Sequence, residues 1–237
     1  YGMDLSVPDM IYAVGARCPV LGGAIVSVDD SAALRVPGVL KVVKFEGTGA
    51  PFHVRPGVAV LASNTWAALK GRQALQIQWA EGLRNHDSTE ALFKEFAVKA
   101  KQKPLLLKHT VGDVDAVKAS KAMTLTAEYS APFLAHATME PVNFIASVRD
   151  GQCEVWGGLQ LPDWAVSEIS QSCGLKKGNI KVNLALMGGG FGRRLQADFA
   201  IEAVKIAQQS DRPVKVVWDR SDDIRFDNYR PANYHRL

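Results

Sequence analysis

The densest chemical signal in this chain of 237 residues is Met187-Gly188-Gly189-Gly190-Phe191-Gly192-Arg193-Arg194. Glycine has no Cβ, takes positive φ freely and leaves backbone amides uncovered. An apolar run with strand character, 180–187, precedes the block, and a run with helical spacing, 195–209, follows it. N–H groups at a helix start carry partial positive charge, so this junction suits an anionic or oxo-bearing ligand. A tight strand-to-helix turn is the plainer reading. His136 and Glu140 are four residues apart and could act as a metal or acid–base pair on a helix. Pro132 and Pro141 flank them and oppose a long helix, so the favoured role is fixing an irregular segment under a pocket. Asp219, Asp222 and Asp223 could hold Mg²⁺, but beside Arg220 and Arg225 they read as helix capping. No complete catalytic set is visible.

Two common glycine motifs fail here. A P-loop needs Lys and Ser/Thr after its last glycine, where this chain has Arg193-Arg194. A dinucleotide turn needs G-x-G-x-x-G, and Arg193 stands at the third glycine. The strand–loop–helix–strand order, with Asp219 where a ribose-binding acid would be, keeps an NAD(P)-binding oxidoreductase as an alternative. A non-catalytic subunit-contact module is a second alternative.

Composition bounds the rest. The chain is 47% hydrophobic and 22% charged, enough apolar residues for a sizeable core. A net charge of +4, with no dense basic run, does not point to nucleic acid. Cys18, Cys153 and Cys173 lack C-x-x-C spacing, which argues against a zinc or iron–sulfur site within the chain. They read as buried free thiols, with a Cys153–Cys173 disulfide as the alternative in an oxidising compartment. No apolar run is long enough to span a membrane and none reads as a signal peptide. The chain does not begin with Met and reads as a segment of a longer protein.

The elements that must position these residues form a mixed α/β (α+β) pattern. Strands are expected over 10–18, 24–28, 39–45, 57–62 and 75–79. Asn64 or Thr65 caps a helix to Ala74, with Trp66, Leu69 and Ala74 inward. Ser88 begins an amphipathic helix with Leu92, Phe93, Phe96 and Val98, and a boundary falls near 101–105. Further strands are expected over 105–110, 122–129, 142–148, 152–156, 180–186 and 214–218, with a short helix over 112–119. Asp150-Gly151 marks a hairpin. Pro162 opens a helix to Cys173, a second covers 195–209, and a third begins at Asp219.

The Gly188–Gly192 block, His136-Ala137-Thr138-Met139-Glu140-Pro141 and Trp218-Asp219-Arg220 through Arg225 resemble the molybdenum hydroxylases. This is the xanthine dehydrogenase and aldehyde oxidase family, and the pattern is nearest to the isoquinoline 1-oxidoreductase type of large subunit. Ala16-Arg17-Cys18-Pro19, Val28-Asp29 and Pro37-Gly38-Val39 are similar to that family's hammerhead domain. The resemblance implies a hammerhead-like α/β domain over 1–103 and the first part of a molybdopterin-binding domain over 104–237. It implies a molybdenum–molybdopterin cofactor, in the cytosine dinucleotide form, held in part by Gln160, Gly189, Gly190, Phe191, Gly192 and Arg193. In that reading Gln160 hydrogen-bonds an oxo ligand of the metal, and the loop amides touch another. A general-base glutamate is implied beyond Leu237, so the chain alone is expected to be inactive. The glutamate found after this loop in xanthine dehydrogenase-like members is replaced here by Arg194 and Leu195, which disfavours purine. The implied partners are a small iron–sulfur subunit, a cytochrome, and a heteroaromatic or aldehyde substrate. The compartment stays open between periplasm and cytoplasm.

Overall fold

The computed structural model describes residues 1–49, 54–102, 109, 111–120 and 123–237. The chain divides into two compact units, residues 1–85 with 135–228, and residues 86–134 with 229–237. The expected boundary at 103/104 lies outside the described residues, as does the expected strand over 105–110 apart from His109.

The first unit begins with β1 (Ile11–Arg17), β2 (Ala24–Asp29), α1 (Ser31–Leu34), β3 (Val39–Phe45), β4 (Gly57–Ala62), α2 (Thr65–Ala74) and β5 (Gln76–Ala80). The second unit supplies α3 (Thr89–Lys99), α4 (Val114–Ala119) and β6 (Glu128–Ala131). The first resumes with β7 (Asn143–Arg149), β8 (Gln152–Gly157), α5 (Pro162–Cys173), β9 (Ile180–Leu184), α6 (Asp198–Ala207), β10 (Val214–Val217) and α7 (Arg220–Arg225). β11 (Asn233–Arg236) belongs to the second.

Seven strands of the first unit form one mixed sheet in the order β3-β4-β1-β10-β7-β8-β9. β1 lies parallel to β10 and β8 parallel to β9, and the other neighbours are antiparallel. The β7–β8 turn places Asp150 at φ 51° and Gly151 at φ 75°, the paired positive angles that match the twist of a two-residue hairpin. β4 is buried along its whole length, which is why it reads as an unbroken apolar run rather than an alternation. α6 packs between the sheet and α5, with Phe199, Ile201, Val204 and Ile206 all buried. Phe199 meets Phe144 of β7 edge-on at 5.5 Å between ring centres. The mixed α/β class is as expected.

Three local expectations change. Trp66 is 67% exposed, because α2 packs through Ala67, Ala68 and Gly71 instead. A Cβ on Gly71 would stand 2.7 Å from Val60 and 2.9 Å from Val39, so the helix sits too close to the sheet for a large side chain on that face. The helix expected over 195–209 starts only at Asp198. A 3₁₀ turn, Arg193–Leu195, and an extended Gln196 (φ −89°, ψ 140°) separate it from the loop. The glycine loop therefore does not lie at a helix N-terminus. The N–H of Ala197 before α6 is taken by the Glu168 carboxylate. In the second unit the strand expected over 122–129 appears as Glu128–Ala131, where it pairs with β11, because a strand exists only as far as its partner extends.

Candidate functional site

Three strand-end segments of the first unit converge: residues 136–141 before β7, Gly157–Gln160 after β8, and Met187–Arg194 after β9. Glu140 ties the first to the third. Its carboxylate accepts the N–H of Gly188 at 2.7 Å, the N–H of Met3 at 2.8 Å and the side-chain amide of Asn143 at 3.1 Å. The Glu140 N–H in turn donates to the Gly188 carbonyl at 3.1 Å. Burial opposes its charge, yet these donors and the nearby Arg194 hold the carboxyl below the ordinary glutamate range. A Cβ on Gly188 would lie 2.5 Å from Cβ of Glu140, so only glycine allows this approach.

Gln160 ties the second segment to the third. Its N–H donates to the Arg194 carbonyl at 2.9 Å. Its side-chain oxygen accepts the N–H groups of Gly192 and Arg194, each at 3.2 Å. These two bonds fix which end of the amide is oxygen, and the two Nε2 donors take no part in them. Among the described residues no acceptor takes the N–H of Gly189 or of Gly190. Phe191 is 67% exposed and adopts φ 51°, with its ring over Gly189. A non-glycine residue in this region costs about 1–2 kcal/mol, so the surrounding bonds must impose it.

The two arginines do not face outward. Arg194 is 1% exposed and donates to the carbonyls of Gly189 (3.1 Å) and Glu140 (2.9 Å). Arg193 is 2% exposed and binds both oxygens of Asp198 at 2.8 Å. Its Nε stands 2.8 Å from Asp227. The positive charge expected at the loop is thus turned into the core and neutralised. Burial keeps the Arg193 guanidinium from facing a ligand, although its Nε makes no hydrogen bond among the described residues, and its backbone N–H goes to the Gly190 carbonyl at 2.7 Å.

The other sequence candidates separate. His136 and Glu140 do not pair: the imidazole Nδ1 meets Asp227 at 3.0 Å, and Glu140 turns to Gly188. Asp219 and Asp222 form a capping box on α7 and both bind Arg72, while Asp223 pairs with Arg220. Among the described residues no cluster has the makings of a metal site. Asp219 is thereby occupied, and β9 and β10 are separated by β7 and β8, unlike adjacent dinucleotide-binding strands. Cys18, Cys153 and Cys173 are free thiols, and burial pushes Cys153 up to about 11 and Cys173 up to about 12. Among the described residues no helix is long and apolar enough to cross a membrane.

Asp227, Met3 and Lys215 escaped sequence reasoning. Buried Lys215 donates to the carbonyls of Met3 and Leu5 at 2.5 and 2.8 Å, holding the N-terminal strap whose Met3 N–H reaches Glu140. No local pattern marks residues that act across such distances in sequence.

Neutral N–H donors at Gln160, Gly189 and Gly190 suit acceptor oxygens or a polar heterocycle rather than a phosphate, which the inward arginines would leave uncompensated. A family model described as a molybdopterin cofactor-binding domain matches residues 97–237. The chain belongs to that family of molybdenum hydroxylase large subunits, and the donor set fits its cofactor. It is 31% identical over 241 residues to isoquinoline 1-oxidoreductase subunit beta of Brevundimonas diminuta, covering 98% of this chain and 30% of that protein. It is 29% identical to the membrane-bound aldehyde dehydrogenase [pyrroloquinoline-quinone] of Gluconacetobacter polyoxogenes, covering 100% of this chain and 31% of that protein. The aldehyde oxidoreductase structure from Desulfovibrio gigas superposes with a TM-score of 0.72 at 18% identity, over 98% of this chain and 30% of that one, a likeness of fold. The chain spans about a third of the length of the relatives it matches.

Proposed function

We propose that the protein containing this chain hydroxylates a carbon beside nitrogen in a heteroaromatic ring or oxidises an aldehyde. The bound molybdenum–molybdopterin cofactor supplies the two-electron oxidation, with water as the oxygen source. In this chain Gln160 would donate from Nε2 to an acceptor oxygen of the cofactor. Gly189, Gly190 and Gly192 let the backbone approach it, and Phe191 forms the outer face of that wall. Arg193 contributes by locking the loop from beneath through Asp198 and Asp227 rather than by touching a ligand. The observation that carries this reading is the pinned amide of Gln160, whose oxygen is held by two backbone N–H groups while, among the described residues, no acceptor takes its donors.

The relatives' names contain isoquinoline and aldehyde, which supports those substrate classes. With Arg194 buried and Leu195 beside it, this loop offers no carboxylate to a purine. The general base is assigned to a glutamate beyond Leu237, so the 237 residues alone are inactive. The partners assigned on this reading are a small iron–sulfur subunit and a cytochrome, which would take up the electrons, and the cofactor would be the cytosine dinucleotide form.

Metal analysis and pterin fluorescence on the full-length protein test this reading. Stoichiometric molybdenum and an oxidised-pterin signal are expected. A quinone instead of both would replace it with the cofactor in the second relative's name, and bound nicotinamide would revive a dinucleotide site. Substrate-dependent dye reduction by the isolated chain would overturn the assignment of the base.

A further inference from the structure

The buried pair His136–Asp227 enters the cofactor reading only through the contact of Asp227 with Arg193, and its imidazole lies beside the loop at Gly192. Asp227 accepts the backbone N–H of His136 at 2.5 Å, and its two oxygens lie 3.0 and 3.2 Å from Nδ1. The side chains are 10% and 1% exposed. The same carboxylate faces Nε of Arg193 at 2.8 Å and accepts the N–H of Asn228 at 2.8 Å. A carboxylate so placed acts as acceptor, so Nδ1 carries the ring proton and the opposite edge of the ring presents Nε2. Among the described residues no hydrogen bond reaches that Nε2.

Nε2 lies on the side of Gly192 where a side chain would project. A Cβ built on Gly192 would have it as its nearest neighbour, at 3.7 Å. Gly192 is at φ 100° and Phe191 at φ 51°, and across from them Ala137, next to His136, is at φ 45°. Two non-glycine residues, Ala137 beside His136 and Phe191 beside Gly192 in the chain, thus take the left-handed region, a conformation that persists only where neighbours over-determine it. On its other side Gly192 gives its N–H to Gln160.

We propose that His136 is a positioning residue for the Phe191–Gly192 corner and, through the Gly192 N–H, for the side-chain amide of Gln160. Asp227 sets the ring, and by gripping Arg193 as well it fixes the imidazole and the loop to one anchor. The inference rests on the reading of this loop as a wall of the cofactor site only for its effect on the metal. The support of the loop itself stands apart from that reading.

The test uses the full-length protein with His136→Asn, His136→Gln and Asp227→Asn. Asparagine can replace Nδ1 as donor to Asp227 but falls short of Gly192, whereas glutamine carries its amide where Nε2 stood. Hydrogen exchange is followed on the peptide containing Phe191–Arg194, together with molybdenum content and the Mo(V) paramagnetic resonance signal. In His136→Asn exchange at this peptide rises about tenfold and the signal changes shape; Asp227→Asn, which also removes a counter-charge from Arg193, shows a rise at least as large. His136→Gln returns both part of the way toward wild type, because it restores the reach to Gly192 but not the Nδ1 donor to Asp227. Unchanged exchange in His136→Asn overturns the proposal, as does equal exchange in the Asn and Gln variants. Should His136→Asn unfold, His136→Gln decides alone: a rise well short of about tenfold supports the proposal and a larger one overturns it. A wild-type protein without molybdenum overturns the proposed function, while the exchange result still decides the role of His136.

Discussion

The side-chain oxygen of Gln160 lies 2.5 Å from the point where a Cβ on Gly190 would stand. The two residues are thirty positions apart and come from different strand ends, yet the absence of one methyl group at Gly190 is what lets the Gln160 amide lie across the loop. That contact separates what the loop does for stability from what it does for a ligand.

Gly190→Ala is expected to displace Gln160 rather than the backbone, because the atoms in the way belong to a side-chain amide. The stability cost is about 1 kcal/mol. Molybdenum content or kcat falls by a larger margin, since the Nε2 donors move with the amide. Thermal melting and metal analysis on the full-length variant check both. An unfolded variant, or a loaded and fully active one, would contradict this.

Gly188→Ala meets Cβ of Glu140 at 2.5 Å and the Glu140 nitrogen at 3.3 Å, close to backbone that cannot swing away. The two segments must part, at a cost of about 1–3 kcal/mol. A lowered denaturation midpoint, larger than that of Gly190→Ala, is the expected measurement.

Glu140→Gln removes the charge that three donors and Arg194 stabilise, at about 1–3 kcal/mol near neutral pH. The sign with pH follows from the direction of the shift. A carboxyl held below its ordinary range contributes stability above its unfolded value, near pH 4.3, and loses it as pH falls through the lower folded value. The gap between wild type and variant therefore closes in acid. Denaturation at a series of pH values measures it, and a gap constant down to pH 3 would refute the assignment.

Asp227→Asn leaves Arg193 buried with Asp198 as its remaining carboxylate. Breaking a buried ion pair costs about 3–5 kcal/mol, and the surviving bidentate pair puts this case near the lower figure. Asp198→Asn, which removes the two-bond partner, is expected to cost more. Parallel denaturation curves rank the two.

Strands, hairpin and class were legible because they depend on neighbours in sequence. The apolar run of β4, the Asp150-Gly151 turn and the capping by Asn64, Ser88 and Asp219 all carry local signals. Trp66 was misplaced because spacing marks a helical face but not how near the helix approaches. That distance was decided by Gly71 against Val60 and Val39.

The sequence by itself determined a tight glycine-rich turn after a strand, because glycine without Cβ tolerates such backbone, and it linked Gln160 and the 136–141 segment to that turn only through their resemblance to the molybdenum hydroxylases. The tertiary structure decided which way the charges face. Arg193 and Arg194 read as an outward cationic pair until Asp198, Asp227 and Glu140 are brought beneath them. A guanidinium in the interior needs its counter-charges there; Asp198 is only five residues from Arg193, but Asp227 and Glu140 lie tens of residues from the pair and leave no local trace. The loop's chemistry is for that reason neutral donors rather than positive charge.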